Sequence, residues 1–203
     1  MKIKLLTTIA CFLLFFSITQ AQTSIIQAFA KSYEQEKAGN YTKAINTMKS
    51  VYKASSYGIN LRLGWLHYNA GLFTESASYY QKAIKLKPYS IEAKLGVIYP
   101  EAALGNWAKV LTQYNSILKI DPNHSYANYH AGMLYYGKKE YKTAYKYFEK
   151  VVNLYPFDYS GTLMFAWTNF QLGKASEAKV LFNKVLMMSP KDASALEGLS
   201  YLK

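Results

Sequence analysis

Four of the five prolines, Pro88, Pro122, Pro156 and Pro190, stand at intervals of 34 residues. A spacing this regular marks an internal repeat, and a repeat limits the fold severely, because each unit must pack against near-copies of itself. The text around the prolines recurs with them. Gly71-Leu72-Phe73 leads to Tyr80, Ala83, Leu86 and Pro88, and Gly105-Asn106-Trp107 leads to Tyr114, Ile117, Ile120 and Pro122. Tyr141 and Ala144 lead to Phe148, Val151, Leu154 and Pro156, while Gly173 and Ala178 lead to Phe182, Val185, Met188 and Pro190. A looser early copy has Gly39, Tyr41, Ala44, Met48 and Val51 without its proline.

Within a unit, apolar residues recur at three- and four-residue spacing, as in Tyr80, Ala83 and Ile84 or Phe148, Val151 and Val152. That is the stripe of an amphipathic helix. The proline after it cannot continue the helix and disfavours helix in the residue before it. Gly71, Gly105 and Gly173 supply the left-handed backbone that closes one helix and turns the chain into the next. Each unit is therefore a helix pair, and because one pair cannot bury both of its apolar faces, neighbours stack. Five pairs are expected, roughly 25–56, 57–90, 91–124, 125–158 and 159–192, and residues 193–203 start a lone helix that caps the last open face. Pro100 falls inside the first helix of the third pair, and Ile98 stands where Gly64 and Gly132 put a small residue. A kink or early break near Tyr99 is expected there.

The turn glycine, the aromatic two residues on, the small residue, the second aromatic and the terminal proline together resemble the signature of the tetratricopeptide-repeat family, of the exported bacterial kind. The resemblance covers nearly all of residues 22–203. It implies an all-α, right-handed α-solenoid of about five helix pairs with a C-terminal capping helix, and no catalytic residues or cofactor. It also implies that the first helices of successive pairs line a concave groove that holds a protein or peptide. Four residues into successive units stand Leu61, Leu95, Tyr129 and Leu163; eight residues in stand Trp65, Tyr99, Met133 and Trp167; eleven in stand Tyr68, Ala102, Tyr136 and Phe170. With Phe29 and Tyr33 from the first unit, the candidate groove is Phe29, Tyr33, Leu61, Trp65, Tyr68, Tyr99, Tyr129, Met133, Tyr136, Leu163, Trp167 and Phe170.

Rings at helical spacing also serve as core, and that alternative applies most to the places four and eleven residues in. The place eight residues in favours recognition, since rings with a polar edge supply contact area at low entropic cost. Recognition of peptidoglycan or another glycan by stacked rings is the alternative function, and a purely structural spacer is a third. The carboxylate clamp of the family's chaperone-tail binders is not recognisable, because only Lys94, Asn128 and Arg62 lie near the corresponding places.

Lys2 and Lys4 precede an uncharged stretch from Leu5 to Ile18, and Thr19 and Ala21 follow. That reads as a secretory signal over residues 1–21, cleaved after Ala21, leaving a repeat domain over 22–203 in the periplasm or at the cell surface. An apolar run of this length falls short of the roughly 20 residues that span a bilayer, and no later segment is apolar enough. Cys11, in Thr8-Ile9-Ala10-Cys11, faintly resembles a lipidation box, but the apolar run follows it instead of preceding it, so lipoprotein anchoring is disfavoured. Without Cys11 the chain has no thiol, which excludes a disulfide framework and a thiolate metal site.

The net charge of +12 attracts polyanions, and export makes acidic envelope polymers or acidic proteins the relevant ones in place of nucleic acid. Lysines spaced along the second helices also read simply as solvated faces. His67, His124 and His130 have no metal-binding spacing, and there is neither a phosphate-cradling glycine loop nor a nucleophile elbow. No catalytic residue, metal or cofactor is assigned.

Overall fold

The computed structural model describes residues 24–202. The expected signal segment, Cys11 and the expected cleavage place after Ala21 lie outside the described residues. All regular structure in the described residues is helical. The helices are α1 (24–37), α2 (Tyr41–Ser50), α3 (Tyr57–Asn69), α4 (Phe73–Leu86), α5 (Ile91–Ala103), α6 (Trp107–Ile120), α7 (Ser125–Gly137), α8 (Tyr141–Leu154), α9 (Tyr159–Gln171), α10 (Ala175–Met188) and α11 (Ala193–Ser200). The chain divides after Leu104 into two compact units, the first carrying α1 to α5 and the second α6 to α11.

The helix starts and stops follow from local chemistry. Each first helix from α3 onward, and α11, opens on a side-chain cap: Ser56, Ser90, His124, Asp158 and Asp192 each accept the amide three residues ahead. Such a cap satisfies one of the otherwise orphaned N–H groups of the first turn. His124 is thus a capping residue, its Nδ1 accepting from Ala127 N–H at 3.2 Å. The second helices lack such caps and instead start just after a residue with left-handed backbone, as at Gly71, where φ is +76°. In the α7–α8 turn the same conformation falls on Lys139, with φ +61°. The turns between pairs are tied by asparagines. Asn60 donates to Ala54 O and Ser56 O, and Asn128 donates to Pro122 O and His124 O.

Packing explains the aromatic that recurs in the second helices. Tyr80, Phe148 and Phe182 are buried. A Cβ added at Gly64 would meet the Tyr80 ring at 2.9 Å, and one added at Gly96 would meet it at 2.2 Å. The ring therefore lies between α3 and α5 where only glycine lets the backbones approach. Gly132 stands in the same relation to Phe148, and Gly198 to Phe182.

The early break expected near Tyr99 does not occur. Helix α5 runs unbroken from Ile91 to Ala103, as long as α3, α7 and α9. Pro100 sits in its last turn, so it forfeits a single hydrogen bond, and the burial of Val97, Ile98 and Pro100 itself holds the turn in place.

Candidate partner-binding site

In the first unit three helices bring their inner stripes together around an open hollow of about 740 Å³. Helix α1 supplies Phe29, Tyr33 and Glu36, spaced so that all three share one face. Helix α3 supplies Gly58, Leu61, Arg62 and Trp65; α5 supplies Glu92, Leu95, Gly96 and Tyr99; Tyr80 of α4 completes the lining. Burial raises the Tyr80 phenol above its ordinary range, so it stays neutral. Trp65 and Tyr99 are 40% and 44% exposed, so the walls present ring faces to the opening.

The polar groups are organised around Arg62, which is only 5% exposed. Its Nε donates to Ser32 Oγ at 3.0 Å, and its Nη1 forms an ion pair with the Glu36 carboxylate. The guanidinium carbon lies 3.8 Å from the centre of the Tyr33 ring. The second Glu36 oxygen accepts the Trp65 indole N–H, so one carboxylate orients both the cation and the ring. Arg62 Nη2 is buried and has no partner. A buried unpaired donor is costly unless something supplies an acceptor. At the other side Glu92 accepts the Tyr57 hydroxyl at 3.0 Å, and burial, assisted by that carboxylate, pushes the Tyr57 phenol up.

Of the residues singled out in the sequence, Phe29, Tyr33, Leu61, Trp65 and Tyr99 line this hollow. Tyr68 packs beside it, its ring 6.2 Å from Trp65 and 5.6 Å from Tyr99. The six in the second unit are arranged differently. Leu163, Trp167 and Phe170 pack against a buried cluster of Ala166, Ala178, Phe182, Val185 and Ala195. Tyr129 packs on His130 and Phe148, Tyr136 on Tyr141, and both phenols are raised by burial. Met133 is exposed.

Sequence reasoning missed Glu36 and Arg62 as parts of the site. Glu36 was legible: it continues the Phe29, Tyr33 stripe by one further turn. Arg62 is the chain's single arginine, three residues before Trp65, but its burial depends on α1 and is not written locally.

Residues 29–91 match one family model described as tetratricopeptide repeat, and residues 126–158 match another. These stretches are tetratricopeptide repeats. The fold is shared with solved structures. A tetratricopeptide repeat protein from Parabacteroides merdae superposes with a TM-score of 0.75 at 24% identity, covering 89% of this chain and 72% of that one. A MamA protein gives 0.71 at 20% identity, covering 84% and 94%. MamA from Desulfovibrio magneticus RS-1 gives 0.69 at 16%, covering 84% and 97%. At these identities the likeness is one of fold. Among curated proteins, subunit 7 of the anaphase-promoting complex from Arabidopsis thaliana is 26% identical over 174 residues, which is 80% of this chain. The chain spans about 30% of that relative's length. The expected class, all-α helix pairs with a terminal single helix, is the one found.

Proteins built of tetratricopeptide repeats mediate protein–protein interaction through the surfaces that stacking creates. Among the described residues no helix is long and apolar enough to cross a membrane, and no three His, Cys, Asp or Glu residues cluster as metal ligands.

Proposed function

We propose that this protein is a non-catalytic interaction scaffold of the cell envelope, exported by its N-terminal segment, that holds a segment of a partner protein in the hollow of the first unit. The observation that carries the reading is the combination of exposed ring walls with a buried Arg62 that keeps one N–H donor unpaired. Rings such as Trp65 and Tyr99 supply apolar contact area, and Arg62 Nη2 offers a hydrogen bond to a carbonyl oxygen. The Glu36 carboxylate already pairs with this guanidinium, which disfavours a second free carboxylate and favours a neutral main-chain or amide carbonyl. Membership of a multiprotein complex, which the name of the curated relative states for that protein, supports the same reading.

The test is capture of partners from an envelope fraction by the tagged mature protein. Trp65→Ala with Tyr99→Ala should reduce recovery at least about tenfold while far-UV dichroism shows unchanged helicity. Undiminished recovery rejects the reading. Retention on purified peptidoglycan without added protein would replace it with glycan recognition.

A further inference from the structure

In two of the helix pairs, equivalent places of the repeat bring one ring of the first helix against one ring of the second. In α3–α4 the pair is His67 and Tyr79, whose rings lie 4.8 Å apart. In α7–α8 it is Tyr135 and Tyr147, stacked at 5.4 Å. Both seams are filled by two rings. In α9–α10 the same two places hold Asn169 and Leu181. Neither is a ring, and a hollow of about 380 Å³ lies there, lined by Tyr145, Phe165, Asn169, Ser176, Glu177, Val180 and Leu181. That volume is within the range of small-molecule sites.

Asn169 gives the hollow its polarity. The residue is 1% exposed, and its Nδ2 donates to Phe165 O at 2.8 Å. That bond fixes the amide orientation, since a flipped amide would set two acceptors against each other. Oδ1 is then the atom left over, and it is buried with no donor. An orphaned buried acceptor calls for a partner that brings an N–H or O–H. Next to it, Tyr145 and Phe165 form an aromatic corner with ring centres 4.9 Å apart at 60°. At the rim the charges balance, because the Glu177 carboxylate is offset by Lys174, whose Nζ lies 4.1 Å from the Tyr145 ring centre. A neutral ligand therefore fits better than an ion.

We infer that this seam is a second binding site, distinct from the hollow of the first unit, for a neutral flat aromatic ring bearing an N–H donor. The ring packs against Tyr145 and Phe165, and its N–H bonds Asn169 Oδ1. The chemistry is that of an indole, whether free or as a tryptophan side chain. Asn169 sets specificity, and Val180 and Leu181 close the apolar side.

Calorimetric titration of the mature protein with indole tests this, with benzofuran as the isostere that lacks the N–H and N-acetyl-tryptophanamide as the side-chain form. Indole should bind, and benzofuran should bind about tenfold more weakly or worse, because it leaves Oδ1 unpaired. Binding by N-acetyl-tryptophanamide as well would assign the site to a tryptophan of a partner; binding by indole alone would assign it to a free metabolite. Leu181→Tyr introduces the ring found in the α3–α4 and α7–α8 seams and should abolish binding while raising the melting temperature, and Asn169→Leu should erase the difference between indole and benzofuran. Equal affinity for indole and benzofuran, full binding by Leu181→Tyr, or no binding of either indole compound would overturn the inference.

Discussion

Trp65 and Trp167 stand at the same place in their repeats, one in each compact unit, and the fold treats them oppositely. Trp65 is a wall of an open hollow, 40% exposed, with its indole N–H bound to the carboxylate of Glu36. Trp167 is half-buried in a knot of rings, 5.0 Å from Phe182, 5.6 Å from Phe170 and 6.4 Å from Tyr201, and donates to Ser194 Oγ at 2.9 Å. The difference lies in what the neighbouring helix delivers. Helix α1 brings a carboxylate and a tyrosine that is occupied with Arg62, and Trp65 stays exposed to the hollow. The C-terminal end brings Tyr201, which turns the equivalent face into packing surface. An identical residue at an identical register is thus the exposed wall of a hollow in one unit and packed against core in the other.

The contrast is easiest to break with the tryptophans themselves. Trp167→Ala should lower unfolding stability by about 3 kcal/mol in urea titration, whereas Trp65→Ala should lower it by only about 1 kcal/mol. Equal losses would mean that both rings are core. The turns sharpen the comparison at a smaller scale. Gly71 and Lys139 share the left-handed conformation, so Lys139→Gly should stabilise the second unit by about 1 kcal/mol, and Gly71→Lys should cost the first unit about the same, both read from chemical denaturation. No change at Lys139 would show that its turn is not strained.

The smallest expected effect concerns pH and again pairs one residue from each unit. His67 bonds Leu63 O and packs on Tyr79, and His130 packs among Tyr114, Tyr126 and Tyr129; burial is the main cause that lowers both imidazoles. The unfolded chain, with histidine near its ordinary value of about 6.5, then binds more protons than the folded one at mildly acidic pH. The stability carried by the neutral rings is present above that value and lost as pH falls below it. Melting temperatures should therefore drop between pH 7 and pH 5, and His130→Phe, which keeps a ring in place, should reduce the slope. A slope unchanged in that variant would remove His130 from the account.

Much of the fold was legible in the chain. The 34-residue spacing of Pro88, Pro122, Pro156 and Pro190, the left-handed turn at Gly71 and the apolar stripe through Tyr80 and Ala83 each act within one or two helical turns, so they can be read without neighbours. Pro100 misled because its cost is local while its compensation, the burial of Val97 and Ile98, is not. The candidate site was legible only in part. Phe29, Tyr33, Leu61, Trp65 and Tyr99 follow from register, but the same register also points to Leu163, Trp167 and Phe170, which pack against core.

By itself, then, the sequence determined the helix pair, its period and the face each residue occupies, because hydrogen bonding and side-chain direction along a helix repeat with the chain. Only the tertiary structure decided which faces stay open. The exposure of Trp65 and the burial of Arg62 are set by atoms from other helices, as when Glu36 reaches Trp65 across 29 residues of chain. A repeat makes such neighbours similar but not equal, and the places where they differ are where these two units acquire separate surfaces.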